Sequence, residues 1–239
     1  MMEEAPKEVA ADESDLKWII ESLAEGSRVL PEQAIRAAQE NRQRAVPLLI
    51  DALRRATEDA ARGIKVESNA HFFALFLLAE FRAQEGWPAI RAAISLPGEA
   101  PFDLFGDAIT EDLAPIMSVF VESADELDAI IDDRQINEYV RWQAMYAFLY
   151  LVRDGRLTRA EALARLERHL RAAIERKECA AISSLIITLS DYGPVELAEL
   201  IREAFRSDLA NEFLIDRKDV EEGIQEGDAR FQRELQQLP

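Results

Sequence analysis

A chain of 239 residues, about half of them apolar, can bury a substantial core and ordinarily forms one or two domains. Its 46 acidic residues against 28 basic ones, a net charge of −18, make it a poor ligand for phosphate backbones, which are bound by displacing counterions with Lys and Arg. No nucleic-acid partner is expected. The lone cysteine, Cys179, excludes an internal disulfide and reads as a buried, inert thiol. No apolar run approaches the roughly 18 residues that span a bilayer, and the first residues have neither the basic end nor the apolar stretch of a leader, so a cytoplasmic location free of the membrane is expected.

Residues 1–13 are acidic and lack helical periodicity, which predicts a disordered N-terminus. Beyond them helix formers dominate, and nine glycines are too few for the turns of a β protein, so the fold class is all-α. Four prolines open similar segments: AVPLLIDAL at Pro47, GWPAIRAAI at Pro88, LAPIMSVFV at Pro115 and YGPVELAEL at Pro194. Each carries an apolar residue six positions on, at Leu53, Ile94, Val121 and Leu200. Proline is tolerated in the first helical turn, where its missing N–H would have no partner anyway. A helix is therefore predicted to start just before each proline.

The stretch preceding each proline is itself helical in pattern: 31–41, 69–84, a shorter 102–108, 136–153 and 178–191. One unit without proline, LTRAEALARLERHL, starts at Leu157. LIITL, residues 185–189, is the best strand candidate but falls in a helical slot of the repeat. Helix pairs recurring every roughly 30 to 45 residues are the mark of an α-solenoid, in which each pair buries its apolar face by stacking on the next. The expected architecture is a right-handed stack of about five HEAT-like antiparallel pairs over residues 14–214, closed by a C-terminal capping helix over 215–239. HFFALFLLAEF (71–81) and VRWQAMYAFLYLV (140–152) are apolar nearly all round and should be interior, whereas Leu163, Leu166, Leu170 and Ile174 form a single stripe with Arg165, Arg168 and Arg171 facing away.

DRQINEYVRWQA (133–144), followed by an apolar run, resembles the first helix of a HEAT-like repeat, and AVPLLIDAL resembles its second. Together with FFALFLLAEF, LPGEAPFDLFGDAITEDLAPI and the overall length, the chain resembles a bacterial family, the domain-of-unknown-function family 1186, over roughly Leu16 to Leu214. LFGDAITEDL is the most specific part of the likeness. Some longer members carry a cysteine-rich, metal-binding tail; no such stretch is present here, so the resemblance implies no zinc, and it carries over no activity.

Charge is unevenly spread. Residues 99–138 hold twelve acids against one base, and 153–177 hold eight bases against four acids. Asp103, Asp107, Glu111 and Asp112 offer carboxylates to a hard cation or to acid–base chemistry, but they lack the order of a calcium loop. They also have structural roles: Thr110 or Asp112 would cap the helix of Pro115, Gly106 would end the preceding one with Asp107 in the turn, and acids stabilise the positive end of a helix dipole. Histidines stand only at 71 and 169, with no further ligand at zinc spacing; His169 reads as a half-buried edge residue. Trp18, Trp87 and Trp142 read as core. Neither a nucleotide loop nor a serine-nucleophile motif is present, so no cofactor is expected.

Toward the C-terminus, Val220, Ile224, Gly227, Phe231 and Leu238 make a narrow seam on one helix capped by Asp216, either closing the last repeat or offering a partner or homodimer seam. The expected function is a non-catalytic scaffold that binds a protein or peptide in its concave groove. Residues 99–138 favour cationic segments, and Arg165, Arg168 and Arg171 are offered to an anionic one. The competing class is an enzyme: a metal-assisted hydrolase using the Asp103 to Asp112 acids or, by analogy of fold, a lyase of the HEAT-type bilin-lyase kind.

Overall fold

The computed structural model of the chain describes residues 16–26, 29–211 and 213–239; the acidic stretch 1–13 lies outside them. Among the described residues there are fifteen α-helices, two 3-10 turns and no strand. A single backbone bridge joins Pro97 to Ile136. LIITL is helical, inside α12 below. No helix among these residues is long and apolar enough to cross a membrane. The chain divides into two compact units, Met1–Ala93 and Ile94–Pro239.

The first unit contains α1 (Lys17–Ala24), α2 (Glu32–Glu40), α3 (Arg42–Ala61), α4 (Ala70–Glu80) and, after a 3-10 turn at Gln84–Gly86, α5 (Trp87–Ile94), whose last residue opens the second unit. α3 packs on α4, and α1 packs on both. Leu49 and Leu53 of α3 and Leu75 and Leu78 of α4 are fully buried. α4 is interior as its all-round apolar surface predicts. Pro47 departs from the proline rule. α3 begins at Arg42, which places Pro47 in its second turn, where it removes the backbone bond to the carbonyl four residues back. Pro88 is the second residue of α5 and follows the rule. Trp18 is 43% exposed, not core: the buried face of α1 is Ile19 and Leu23, four apart, and Trp18 lies about 100° off that stripe. Trp87 and Trp142 are half-buried.

The second unit contains α6 (Ala100–Phe105), α7 (Ala108–Glu111), α8 (Leu113–Phe120), α9 (Ala124–Asp132), α10 (Glu138–Arg153), α11 (Arg159–Arg176), α12 (Cys179–Ser190), α13 (Ala198–Arg206), α14 (Arg217–Glu226) and α15 (Asp228–Gln237). α10 is its centre. It packs against α7, α8, α9, α11, α12 and α15 and buries Val140, Ala144, Ala147, Phe148 and Leu151 on more than one face. α9 is a helix the proline spacing does not predict; its local signal is the Ser123/Glu126 capping box. Pro115 is the third residue of α8, and Pro194 precedes the 3-10 turn Val195–Leu197 that leads into α13.

Arginines close the open carbonyl ends of neighbouring helices. Arg141 Nε donates to Ile131 O at the end of α9, 2.9 Å away. Arg156 Nη1 donates to Ser118 O near the end of α8 at 2.6 Å, and Nη2 to Val121 O. Arg159 donates through Nε to Tyr192 O (3.0 Å) and through Nη2 to Gly193 O (2.8 Å), just past α12. The last carbonyls of a helix have no intrahelical donor and carry the negative end of its dipole, so a guanidinium there satisfies both requirements.

The C-terminal seam is not one helix. Gly227, at φ +55°, separates α14 from α15. Gly193, also left-handed at φ +54°, approaches it so closely that a Cβ on Gly193 would lie 2.0 Å from the Gly227 carbonyl oxygen. The chain thus folds back on itself. Val220, Ile224 and Phe231 are buried within the unit, and the Phe231 ring stacks on Tyr192 at 5.6 Å and 19°.

Candidate functional site

The acids of 99–138 separate into two groups according to what surrounds them. In the first, Asp125, Asp128 and Asp132 line α9, which packs against α11. Arg165 Nη1 lies 2.8 Å from Asp125 and also pairs with Asp128. Arg168 lies 2.8 Å from Asp128 and 3.5 Å from Asp132. His169 is 3% exposed, not a half-buried edge residue: Nε2 is 2.7 Å from Asp128 and Nδ1 3.2 Å from Asp132.

Asp128 itself is 8% exposed. Burial raises its carboxyl, but the His169 hydrogen bond and the charges of Arg168, His169 and Arg165 together hold it below the ordinary carboxylate value. Arg165 and Arg168 therefore pair with the acids of α9, Arg165 half-buried and Arg168 still exposed. The unexpected helix α9 accounts for the difference. Arg171 stays exposed and bonds Glu167 one turn back, at 2.6 Å.

The second group lies on α6, α7 and the start of α10. α6 buries Pro101, Leu104 and Phe105, with Asp103 exposed and Phe102 half-buried. Gly106, at φ +53°, ends it. Asn137 joins this helix to α10: its Nδ2 donates to Gly98 O at 2.8 Å, and its Oδ1 accepts from Tyr139 N at 2.9 Å, capping α10. Phe102 and Tyr139 consequently meet edge to face at 5.5 Å and 87°, and Tyr139 and Trp142 lie 6.5 Å apart. Tyr139 is 42% exposed.

On the same elements and at their ends, Glu99, Asp103, Asp107, Glu111 and Glu138 are exposed and Asp112 is half-exposed. None of the six forms a salt bridge among the described residues. Asp107 and Asp112 occupy the N-cap positions of α7 and α8, yet neither side chain makes a cap bond. Gln143 of α10 does that work. Its Oε1 accepts from Ala114 N at 3.2 Å, and its Nε2 donates to Thr110 O at 2.9 Å. Among the described residues no three His, Cys, Asp or Glu side chains gather to hold a metal ion, so Asp103, Asp107, Glu111 and Asp112 share a surface without converging on a point.

Two further features stand apart. An open groove of about 610 Å³ in the first unit runs between α1 and α3, floored by Ile20, Leu48 and Ala52, with Asp51 and Arg55 at its edge. Cys179 is exposed, not buried, because it is the first residue of α12. Asn137 and Gln143 were both missed by sequence reasoning. Their signals are an uncharged polar side chain in a largely apolar helix (WQAMYAF) and an Asn directly before a helix start.

Two proteins that carry the name "Uncharacterized protein" are similar to this chain. They come from Chlamydia muridarum (strain MoPn / Nigg) and Chlamydia trachomatis serovar D, and each is 29% identical over 213 residues. The alignments cover 89% of this chain, with 86% and 85% of the relatives. No solved structure matches it. The model of the family described as a protein of unknown function, DUF1186, matches residues 14–238, and the chain belongs to that family.

Proposed function

We propose that the chain is a cytoplasmic, non-catalytic scaffold of HEAT-like helix pairs that binds a cationic segment of a partner protein on the face formed by α6, α7 and the start of α10. The observation that carries this reading is the contrast between the two groups of acids. Those of α9 are neutralised by α11, whereas six carboxylates on and beside α6, α7 and the start of α10 form no salt bridge among the described residues, and the same helices present the exposed Tyr139 with Phe102 and Trp142 beside it. Uncompensated carboxylates draw Lys- and Arg-rich segments by long-range attraction, and an exposed ring adds about 0.5–1 kcal/mol for each cation laid on it. The repeat reading is supported by the order of packing, α8 and α9 on α10 and then α11 on α12, and by prolines in the first turns of α5 and α8. An acid–base or metal-assisted reaction on the same carboxylates is not favoured, because their side chains do not converge.

The test is fluorescence anisotropy with a labelled Lys/Arg-rich peptide and an acidic peptide of equal length. The cationic peptide is expected to bind and to weaken steeply with salt, since exposed charges are screened beyond about 10 Å at 0.1 M ionic strength. Asp103→Asn with Asp107→Asn should reduce the attraction, and Tyr139→Ala should reduce affinity with less change in the salt slope. Equal binding of both peptides, or binding that ignores all three substitutions, refutes the reading.

A further inference from the structure

A cavity of about 310 Å³ opens between α10 and the start of α12, lined by Arg134, Glu138, Arg141, Glu178 and Cys179 among others. In a chain of net charge −18, three guanidiniums gather here. Arg141 is held below its ordinary value first by burial and then by the positive charges of Arg134 and Arg176, with Asp132 and Glu138 opposing. Its Nε is fixed on Ile131 O, which sets the orientation of the fork. Neither terminal nitrogen of Arg141 makes a hydrogen bond or salt bridge among the described residues.

Arg134 and Arg176 share one carboxylate, that of Glu178, with Arg176 Nε 3.0 Å from Oε1. The second oxygen of Glu178 is buried without a hydrogen-bond partner. Glu178 is thus an incomplete counterion, with one of its two oxygens unused, although Glu138 also lines the cavity. At the same wall the first helical bond of α12 runs from Ile182 N to Glu178 O, and the Glu178 side chain makes no cap bond. The amides of Cys179, Ala180 and Ala181 therefore add unsatisfied donors.

We propose that this cavity is a binding site for a phosphate-type oxyanion, taken up by Arg141 and Arg134 with displacement of the Glu178 carboxylate. A phosphate-type anion suits it because its several oxygens can take the two terminal nitrogens of Arg141 together with Arg134 and the amides that open α12. The proposal shares Glu138, which lines the cavity, with the cationic-segment reading, but its test uses none of the residues substituted there.

Cys179 lines the cavity and is the only cysteine, so its rate of modification reports occupancy. In the full-length protein, alkylation by iodoacetamide, an uncharged reagent, is followed by mass at constant ionic strength with chloride, inorganic phosphate or phosphoserine. The phosphate-bearing probes are expected to slow the reaction in a saturable way and chloride is not. Protection by both probes assigns the site to phosphate itself, and protection by phosphoserine alone assigns it to an organic phosphate monoester. Arg141→Leu should raise the half-protecting concentration about tenfold or more, and Glu178→Gln, which retains Arg141 and removes the competing charge, should lower it. Because Arg141 also caps α9, circular dichroism checks that the Leu variant is folded; the Glu178→Gln result stands without it. Absence of protection by either probe, or protection that Glu178→Gln does not strengthen, overturns the proposal.

Discussion

Asp191, the residue that ends α12, provides a quantitative test of the electrostatics of the second unit. Its carboxyl is reached by Arg230 Nη2 of α15 at 3.7 Å, and the same Arg230 lies 3.1 Å from Glu234. Burial first, and then the charge of Glu234, push Asp191 up to about 6 from an ordinary 3.8, against the pull of Arg230. An acid with a raised folded-state pKa favours the folded state fully below its unfolded value and loses that advantage as pH rises through the folded one. By neutral pH the folded state is less stable by about 3 kcal/mol than an unshifted carboxyl would leave it.

Asp191→Asn keeps the shape and removes the titration. The stability of the variant relative to the parent should therefore climb with pH, by about 3 kcal/mol across the full window and by about half of that between about pH 5 and about pH 8. This narrower range stays above the isoelectric point of 4.6. Urea denaturation followed by circular dichroism at several pH values gives the difference directly, and any fixed effect of the amide cancels between them. A difference that is flat with pH, or that falls as pH rises, refutes the assignment of Asp191 as a destabilised acid.

Gln143→Leu should cost about 1–3 kcal/mol in urea denaturation, since it leaves Ala114 N–H buried without a partner and releases the Thr110 C=O. Gln143→Glu keeps the acceptor for Ala114 but sets a carboxylate oxygen against the Thr110 carbonyl in a buried position, and should cost at least as much under the same conditions. Gly193→Ala combines a left-handed φ with a Cβ 2.0 Å from a backbone oxygen and should loosen α14 and α15 from α12 by about 3 kcal/mol or more. Limited proteolysis should then cut residues 207–239 at protease levels that leave the parent intact.

Part of the candidate site is legible in the sequence. The surplus of acids over 99–138 and the aromatics at Phe102, Tyr139 and Trp142 can be counted without coordinates. Which acids remain uncompensated cannot. Asp128 and Asp103 look alike in sequence, yet one meets Arg165, Arg168 and His169 from a helix about 40 residues away, and the other meets none. Coulomb pairing depends on distances of a few ångströms between remote segments, so it follows from how α9 lies on α11 and not from the composition of either.

Much of the local character of the chain follows from its sequence: helices where apolar residues recur with helical spacing, interior helices at 70–80 and 138–153, a break at Gly106, and first-turn prolines at Pro88 and Pro115. Helix formation rests on neighbours three and four residues apart, so nearby residues carry that information. Only the tertiary structure decided that Gln143 caps α8 in place of Asp112, that Arg141, Arg156 and Arg159 close the ends of other helices, and that the C-terminal seam turns back onto Tyr192. Those outcomes turn on which unsatisfied carbonyls and amides are brought within about 3 Å of a donor or acceptor, and that proximity exists only once the helices have packed.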